Sequence, residues 1–237
     1  MTRPKAAGER FVASLGAACL KHLTVISAPL IQPEPLAIET DVIHGSDVIF
    51  TSAQAVEFVP SPSKTKAQRA YCVGEHTTDR AQASGWLAEC RGQDADALVA
   101  SLIQTPPPSG LLHLRGRFGR GDIANRLTAA GIATRECIVY EQRLQGYDHV
   151  KRAEIDAQRS LIVPLFSPRT AEQFVNLAPY SADLHLLAFS NAVAEPLMGM
   201  KAADLKICTA PTAPVMRDMV RDAALCLARV EGGAEAQ

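Results

Sequence analysis

Short apolar segments alternate along this chain with longer amphipathic ones. The apolar segments span about four to eight residues, as in 111–114, which suits buried strands. Between them lie stretches of about ten residues with helical spacing, such as residues 6–18, where Phe11 and Leu15 lie on one face with Cys19 just beyond. The pattern predicts roughly nine or ten strands alternating with helices, which is typical of an α/β fold with parallel sheets.

The predicted elements are these. Strands or extended segments are expected at residues 1–4, 23–27, 38–43, 47–50, 70–73, 90–92, 111–114, 134–140, 160–166, 182–189 and 205–209. Helices are expected at residues 6–18, 77–84, 94–104, 123–130, 171–177, 192–200 and 215–230.

Hydroxyl side chains recur between a strand and the following helix. Thr51 and Ser52 separate an apolar strand from the helix-forming sequence Ala-Gln-Ala-Val. Ser167 and Ser190 stand in the same place later in the chain, and Thr77 does so more loosely. A hydroxyl there can cap the helix by accepting from a free N–H group. Several strand ends are therefore expected to present helix N-termini that suit anions.

Two segments divide the pattern into lobes. The proline-rich residues 29–35 and the polar residues 141–158 bracket a middle block with its own strands and helices. The simplest arrangement is two lobes, the outer one built from both chain ends. Ligands of parallel α/β sheets bind at the carboxyl ends of the strands, so we expect a cleft there. Its walls are predicted to carry Thr51 and Ser52 on one side and Ser167 and Ser190 on the other.

Composition narrows the class of protein. The 237 residues are 47% hydrophobic and 21% charged, with a net charge of −1, as expected of a soluble globular protein. This charge argues against nucleic-acid binding and a polybasic membrane patch. No apolar run approaches the roughly 18 residues of a membrane span, and no signal-peptide core follows Met1. We therefore expect a cytoplasmic protein without nucleic-acid or membrane partners.

Neither cysteines nor histidines show metal-ligand spacing. The six cysteines contain no CxxC pair and lie scattered through apolar elements, which favours buried reduced thiols over zinc or disulfides. The six histidines are equally dispersed. His113 and His185 lie within predicted strands and are expected to be satisfied or edge histidines rather than ligands.

A glycine- and arginine-rich loop follows the strand at 111–114. Its Gly116-x-x-Gly119-x-Gly121 spacing matches neither a P-loop nor a dinucleotide fingerprint, so nucleotide binding is not expected. Arg115, Arg117 and Arg120 beside a helix start could bind carboxylates. A solvated basic turn explains them equally well. No Ser/His/Asp or Cys/His arrangement is legible elsewhere.

An ordered set of motifs spans essentially the whole chain. In sequence they are Thr2-Arg3-Pro4, Pro29-Leu30-Ile31, Phe50-Thr51-Ser52-Ala53-Gln54-Ala55-Val56, Tyr71-Cys72-Val73-Gly74-Glu75-His76-Thr77, Leu114-Arg115-Gly116, Val139-Tyr140-Glu141, Phe166-Ser167-Pro168, Ser190-Asn191-Ala192-Val193-Ala194 and Ala210-Pro211-Thr212. Together they resemble the uroporphyrinogen-III synthase family. The turn at Asn191–Val193 departs from the Gly/Pro/Thr-Thr pattern common in that family.

The resemblance implies an α/β fold of two flavodoxin-like lobes with parallel sheets, joined by a two-stranded linker. One lobe is then discontinuous, residues 1–33 and 145–237, and the other is residues 36–140. The interlobe linkers are residues 29–38 and 139–150.

The resemblance also implies a reaction. The substrate is hydroxymethylbilane, a linear tetrapyrrole with eight carboxylates, which is closed to uroporphyrinogen III with inversion of the last pyrrole and loss of water. No cofactor and no metal are implied. Because the hydroxymethyl pyrrole ionises readily, holding the right conformer can suffice. Tyr140 matches the family tyrosine and is the candidate acid for hydroxide departure. The implied substrate contacts are Arg3, Thr51, Ser52, Thr77, Arg115, Gly116, Arg117, Ser167 and Ser190.

Two alternatives are also compatible with the sequence. The chain could be a non-enzymatic two-lobed binding or regulatory module for an anionic small molecule, or a degenerate synthase with a scaffolding role. The enzyme hypothesis further predicts a monomer that receives its substrate from the preceding deaminase of the pathway.

Overall fold

The computed structural model describes residues 1–39, 43, 46–62, 68–119 and 121–234. Arg120 and part of the segment predicted at 38–43 lie outside the described residues. The strands are β1 (Ile31–Pro35), β2 (Asp47–Phe50), β3 (Arg69–Val73), β4 (Leu87–Gly92), β5 (Leu111–Gly116), β6 (Thr134–Leu144), β7 (Ser160–Leu165), β8 (Asp183–Ala188) and β9 (Asp204–Ile207). The helices are α1 (Lys5–Leu15), α2 (Ala17–Leu20), α3 (Ala53–Glu57), α4 (Glu75–Ala83), α5 (Ala95–Gln104), α6 (Ile123–Ala129), α7 (His149–Asp156), α8 (Pro168–Asn176), α9 (Asn191–Ala194) and α10 (Ala213–Ala234).

The chain divides into two compact units. The first comprises Met1–Gln32 and Arg143–Gln237, and the second comprises Pro33–Gln142. The chain passes from one unit to the other within β1 and again within β6.

The second unit is built on a mostly parallel sheet in the order β1-β6-β5-β2-β3-β4. All pairings from β6 to β4 are parallel. The Leu36 N–H donates to the Val139 carbonyl at 3.0 Å, and the Gln145 N–H donates to the Leu30 carbonyl at 2.9 Å. Residue numbers therefore rise along one strand as they fall along the other, so β1 is antiparallel to β6.

Both faces of this sheet are buried. In β2, Val48 and Phe50 belong to a core cluster with Trp86, whereas Ile49 belongs to a cluster with Tyr71 on the other face. The strand is therefore buried on both faces, as expected of a parallel strand covered by helices on both sides. Functional side chains are therefore expected at the ends of the strands, where the chain is exposed to solvent.

The first unit has a smaller parallel sheet in the order β7-β8-β9. Alternate residues of β8 again serve two cores: Leu186 packs in one cluster with Phe174, and Leu187 packs in another with Phe11 and Met216. Helices α8 and α9 contribute to the first cluster, and α1 and α10 to the second.

Some predicted elements are wrong. Residues 1–4 and 23–27 are not strands, although Ala28 and Leu30 donate to the carbonyls of Met1 and Thr2, each at 3.0 Å. Pro4 ends this short pairing because it has no N–H and lies at the N-cap of α1. The helix predicted at 192–200 is only the four residues of α9 followed by a 3-10 turn, Glu195–Leu197, which contains Pro196.

No helix within the described ranges is long and apolar enough to cross a membrane.

Candidate active site

The carboxyl ends of β2, β3 and β5 meet at one edge of the larger sheet, beside Tyr140 of β6. A cavity of about 280 Å³ opens there, lined by Thr51, Ser52, Arg115, Gly116 and Tyr140 among others. Because the strands are parallel, residues far apart in sequence leave the sheet at the same edge. The structure thus brings together five of the residues predicted from the sequence for this unit.

Ser52 and Thr51 have different roles at the end of β2. Ser52 is the N-cap of α3, and its hydroxyl accepts from the Gln54 N–H at 3.2 Å, as the sequence predicts. Thr51 does not cap the helix. Its hydroxyl lies 3.3 Å from Nε2 of His113 on the neighbouring strand β5. The two adjacent hydroxyls are therefore held by separate parts of the structure.

Tyr140 is packed tightly at the cavity. Its ring lies 5.7 Å from the Phe58 ring, and the residue is only 8% exposed. Burial raises the pKa of the phenol, and a hydrogen bond with the Ser52 hydroxyl opposes that rise. The phenol is therefore protonated at neutral pH and can act as a proton donor.

Gly116 leaves space for this ring. A Cβ atom at Gly116 would lie 2.5 Å from Cζ of Tyr140 and 2.8 Å from its hydroxyl. The two residues are paired across β5 and β6, next to a register shift after Arg115. The absence of a side chain at 116 thus determines where the tyrosine lies.

Arg115 braces the loop that follows β5. Its Nη2 lies 2.8 Å from Oε2 of Glu136, and Nη1 donates to the Gly116 carbonyl at 3.1 Å and the Arg117 carbonyl at 3.4 Å. Arg117 pairs with Glu141, with its Nε 3.1 Å from Oε2. Both arginines are thus neutralised in part by carboxylates of β6, and Arg115 shapes the cavity wall.

A second cavity, of about 300 Å³, adjoins Arg115. It is lined by His113, Arg115, Gly119, Gly121, Asp122, Ile123 and Glu136. His113 is 3% exposed, and its Nδ1 lies 3.5 Å from Oε1 of Glu136. Burial lowers the pKa of His113 to about 4, although Glu136 opposes this, so the imidazole is neutral at pH 7.

Sequence reasoning missed His113 and Glu136 as parts of this site. His113 is not an edge histidine, because β5 lies between β2 and β6. The signal was a single polar residue in the otherwise apolar run Leu-Leu-His-Leu. Glu136 gave no such signal, because its partners come from another strand.

Thr77 is placed differently from the other hydroxyls. It is 6% exposed within α4, whose N-cap is Gly74 with a φ of 73° and no side-chain cap. The prediction that Thr77 caps this helix with its hydroxyl is therefore wrong. Thr78 instead donates to the Gly74 carbonyl at 3.0 Å. Thr77 is not among the residues lining either cavity.

The first unit holds the remaining predicted residues. Ser167 caps α8 by accepting from the Thr170 N–H at 3.2 Å, and Pro168 follows at the first helical position. Ser190 is the N-cap residue of α9, yet its hydroxyl makes no capping hydrogen bond. The Arg3 guanidinium lies over the Phe166 ring, 4.5 Å from its centroid. Of these hydroxyls, that of Ser167 is occupied by its own helix.

No group of three or more His, Cys, Asp and Glu side chains that could hold a metal ion occurs in the part of the chain that the structure describes.

Comparisons with known proteins place these features in a family. The family model for uroporphyrinogen-III synthase HemD matches residues 17–220. The chain is similar to the crystal structure of uroporphyrinogen-III synthetase from Helicobacter pylori, with 18% identity over 86% of this chain and 95% of that one and a TM-score of 0.61. It is also similar to a mutant uroporphyrinogen III synthase from the extremely thermophilic bacterium Thermus thermophilus, with 12% identity, coverage of 95% and 99%, and a TM-score of 0.43. No curated protein matches the chain.

The similarity to the Helicobacter structure confirms the fold class predicted from the sequence. The family match extends over most of the chain and includes the ends of β2, β3 and β5 together with Tyr140. The chain therefore belongs to the uroporphyrinogen-III synthase family, the cyclising lyases of tetrapyrrole biosynthesis.

Proposed function

We propose that this protein closes hydroxymethylbilane to uroporphyrinogen III, inverting the terminal pyrrole and releasing water, on the route to haem, chlorophyll and cobalamin. The family match over residues 17–220 supports the activity. The observation that carries it to this site is Tyr140, whose buried phenol lines the cavity at the carboxyl ends of three strands. No cofactor takes part in the proposed reaction.

Tyr140 acts in the first chemical step. The bond between the hydroxymethyl carbon and its oxygen breaks, and the Tyr140 O–H gives its proton to the departing hydroxide, which leaves as water. The substituted carbon of the terminal pyrrole then attacks the resulting azafulvenium cation and forms a spiro intermediate. Rearrangement of that intermediate inverts the ring, and the proton lost as the ring regains aromaticity restores the phenol.

The other residues bind and orient the substrate. Positioning is the larger part of catalysis here, because the hydroxymethyl pyrrole ionises without strong assistance and its spontaneous closure gives the non-inverted isomer. The proposed substrate contacts of the second unit are Thr51, Ser52, Thr77, Arg115, Gly116 and Arg117. Those proposed for the first unit are Arg3, Ser167 and Ser190. The Ser190 hydroxyl makes no capping hydrogen bond to its own helix, which supports its assignment as a substrate contact.

The organisation of the chain is part of the proposal. The functional lobes are residues 1–33 with 145–237 and residues 36–140, linked by residues 29–38 and 139–150. The chain passes between the two compact units at Gln32–Pro33 and at Gln142–Arg143, which supports these boundaries. The protein acts as a cytoplasmic monomer and receives hydroxymethylbilane from the preceding deaminase.

One assay tests the activity directly. Hydroxymethylbilane is generated in the cuvette, the purified protein is added, and the products are oxidised and separated by chromatography. We expect the type III uroporphyrin isomer to predominate over the type I isomer of spontaneous closure. Folded protein, verified by circular dichroism, that yields only type I would exclude the synthase activity and favour a binding role.

Replacing Tyr140 with phenylalanine should lower turnover at least several-fold, because the ring remains but the proton donor is lost. The fall should be in kcat, with little change in the unfolding midpoint. Tyr71→Phe is the matched control, since Tyr71 is buried in the same unit but packs in the opposite cluster. Wild-type turnover in Tyr140→Phe would remove the tyrosine from the chemical step.

A further inference from the structure

His113 is a polar side chain at a buried position in the middle of a sheet. It lies in β5, a strand flanked on both sides by other strands, and is almost completely buried. Its neighbours Leu112 and Leu114 are apolar and buried. Burying a polar ring costs free energy unless its nitrogen atoms find partners. The two partners it does find both belong to the candidate active site or to its wall.

The first contact is with Thr51. His113 Nε2 lies 3.3 Å from the Thr51 hydroxyl oxygen. His113 and Ile49, two residues before Thr51, are paired in the register of β5 and β2, so the two strands fix this approach. Thr51 in turn lines the cavity that contains Tyr140.

The second contact selects the tautomer of the ring. Nδ1 faces Oε1 of Glu136 at 3.5 Å, and Oε2 of the same carboxylate holds Arg115. Nδ1 makes no hydrogen bond to any residue that the structure describes, so its contact with Glu136 is electrostatic. A proton on Nδ1 is attracted by the facing carboxylate, whereas a lone pair there is repelled. The neutral ring therefore carries its proton on Nδ1 and leaves Nε2 as an acceptor.

We infer that His113 is a positioning residue, which accepts a hydrogen bond from the Thr51 hydroxyl and thereby turns the oxygen lone pairs of Thr51 toward a pyrrole N–H of the substrate. A hydroxyl has one proton to donate. Because this hydroxyl donates its one hydrogen bond to Nε2, Thr51 can only accept hydrogen bonds from a molecule in the cavity. Substrate carboxylates are acceptors, so they do not suit this Thr51, whereas the pyrrole N–H groups of a linear tetrapyrrole do.

The pyrrole contact rests on the proposed function, but the hydrogen bond itself does not. Its first test therefore uses no substrate. Protein labelled with ¹⁵N-histidine is studied by long-range ¹H–¹⁵N correlation, and the His113 signals are assigned with His113→Gln. We expect an unprotonated Nε2 and a protonated Nδ1 at pH 7. A proton on Nε2 would make His113 the donor, reverse the role of Thr51 and overturn the inference.

The second test is a double-mutant cycle on catalysis. Thr51→Val and His113→Asn should each lower kcat/KM by about three- to tenfold, the value of one neutral hydrogen bond, mainly through KM. If His113 acts through Thr51, adding His113→Asn to Thr51→Val should cause no further loss. Independent, additive losses would show that the histidine acts otherwise and would refute the positioning role.

Rescue separates this role from general packing. The Gln amide oxygen reaches the Nε2 position and can accept from Thr51, whereas the Asn amide reaches only the Nδ1 position. His113→Gln should therefore retain more kcat/KM than His113→Asn, and equal losses would contradict the inference.

His76→Asn, which changes an exposed histidine of α4, is the control for histidine loss in general. Wild-type protein that forms only the type I product would refute the proposed function and the pyrrole contact together, while the tautomer result would still stand.

Discussion

Gly116→Ala is expected to lower kcat on the order of 100-fold and to destabilise the protein by about 1–3 kcal/mol. The added methyl group would lie 2.5 Å from Cζ of Tyr140, which no side-chain contact tolerates. The backbone is not the obstacle, because Gly116 does not have a positive φ. The tyrosine must move, and its hydroxyl would then leave the position that the cavity gives it.

The measurement is steady-state turnover to the type III isomer together with urea unfolding. Gly199→Ala is a suitable control, because a Cβ atom there meets no atom within 4 Å and φ is not positive. The clash should disappear in a Tyr140→Ala background, where Gly116→Ala should cost much less stability. A Gly116→Ala variant with normal turnover would mean that the position of the Tyr140 ring is not important for the reaction.

Acidification should destabilise the protein through His113 by about 2–3 kcal/mol between neutral pH and pH 4. The pKa of this histidine is about 4 in the folded protein because burial of the ring, helped by the nearby Arg115 guanidinium, lowers it more than the Glu136 carboxylate raises it. In the unfolded chain the pKa returns to about 6.5. Between these values the unfolded state binds a proton that the folded state does not. The stability contribution is therefore complete above pH 6.5 and is lost as the pH falls toward 4.

Urea unfolding of wild type and His113→Gln at several pH values from 7 to 4 measures this effect. The wild-type free energy of unfolding should fall more steeply with acidification than that of His113→Gln. The exposed His76→Gln variant should follow the wild-type slope. Parallel curves for wild type and His113→Gln would show that His113 is not kept neutral by the fold.

Much of the candidate site could be predicted because it lies at chain positions with strong local signals. The strand 47–50 is apolar at three of its four positions, and Ser52 precedes a good helix former, so the capped turn follows from neighbouring residues. Tyr140 and Gly116 were named from the family resemblance. Their tight contact was not predicted, since it depends on the register shift between β5 and β6.

The errors have local causes too. The segments at 1–4 and 23–27 look like strands, but two hydrogen bonds and a proline do not make a ladder. The turn at Thr77 resembles the Ser52 turn in sequence, yet Gly74 takes the N-cap position there with a left-handed backbone. Hydroxyl spacing alone does not show which residue will be the cap.

The sequence by itself determined the alternation of strands and helices, the family, and the hydroxyls that end the strands. These follow from local periodicity and capping chemistry, which need only neighbouring residues. The tertiary structure decided what those residues do. It paired Arg115 and His113 of β5 with one carboxylate of β6, and it set His113 against Thr51 of β2. Such contacts arise only from strand order and register, because the three strands are separated along the chain and meet only in the folded sheet.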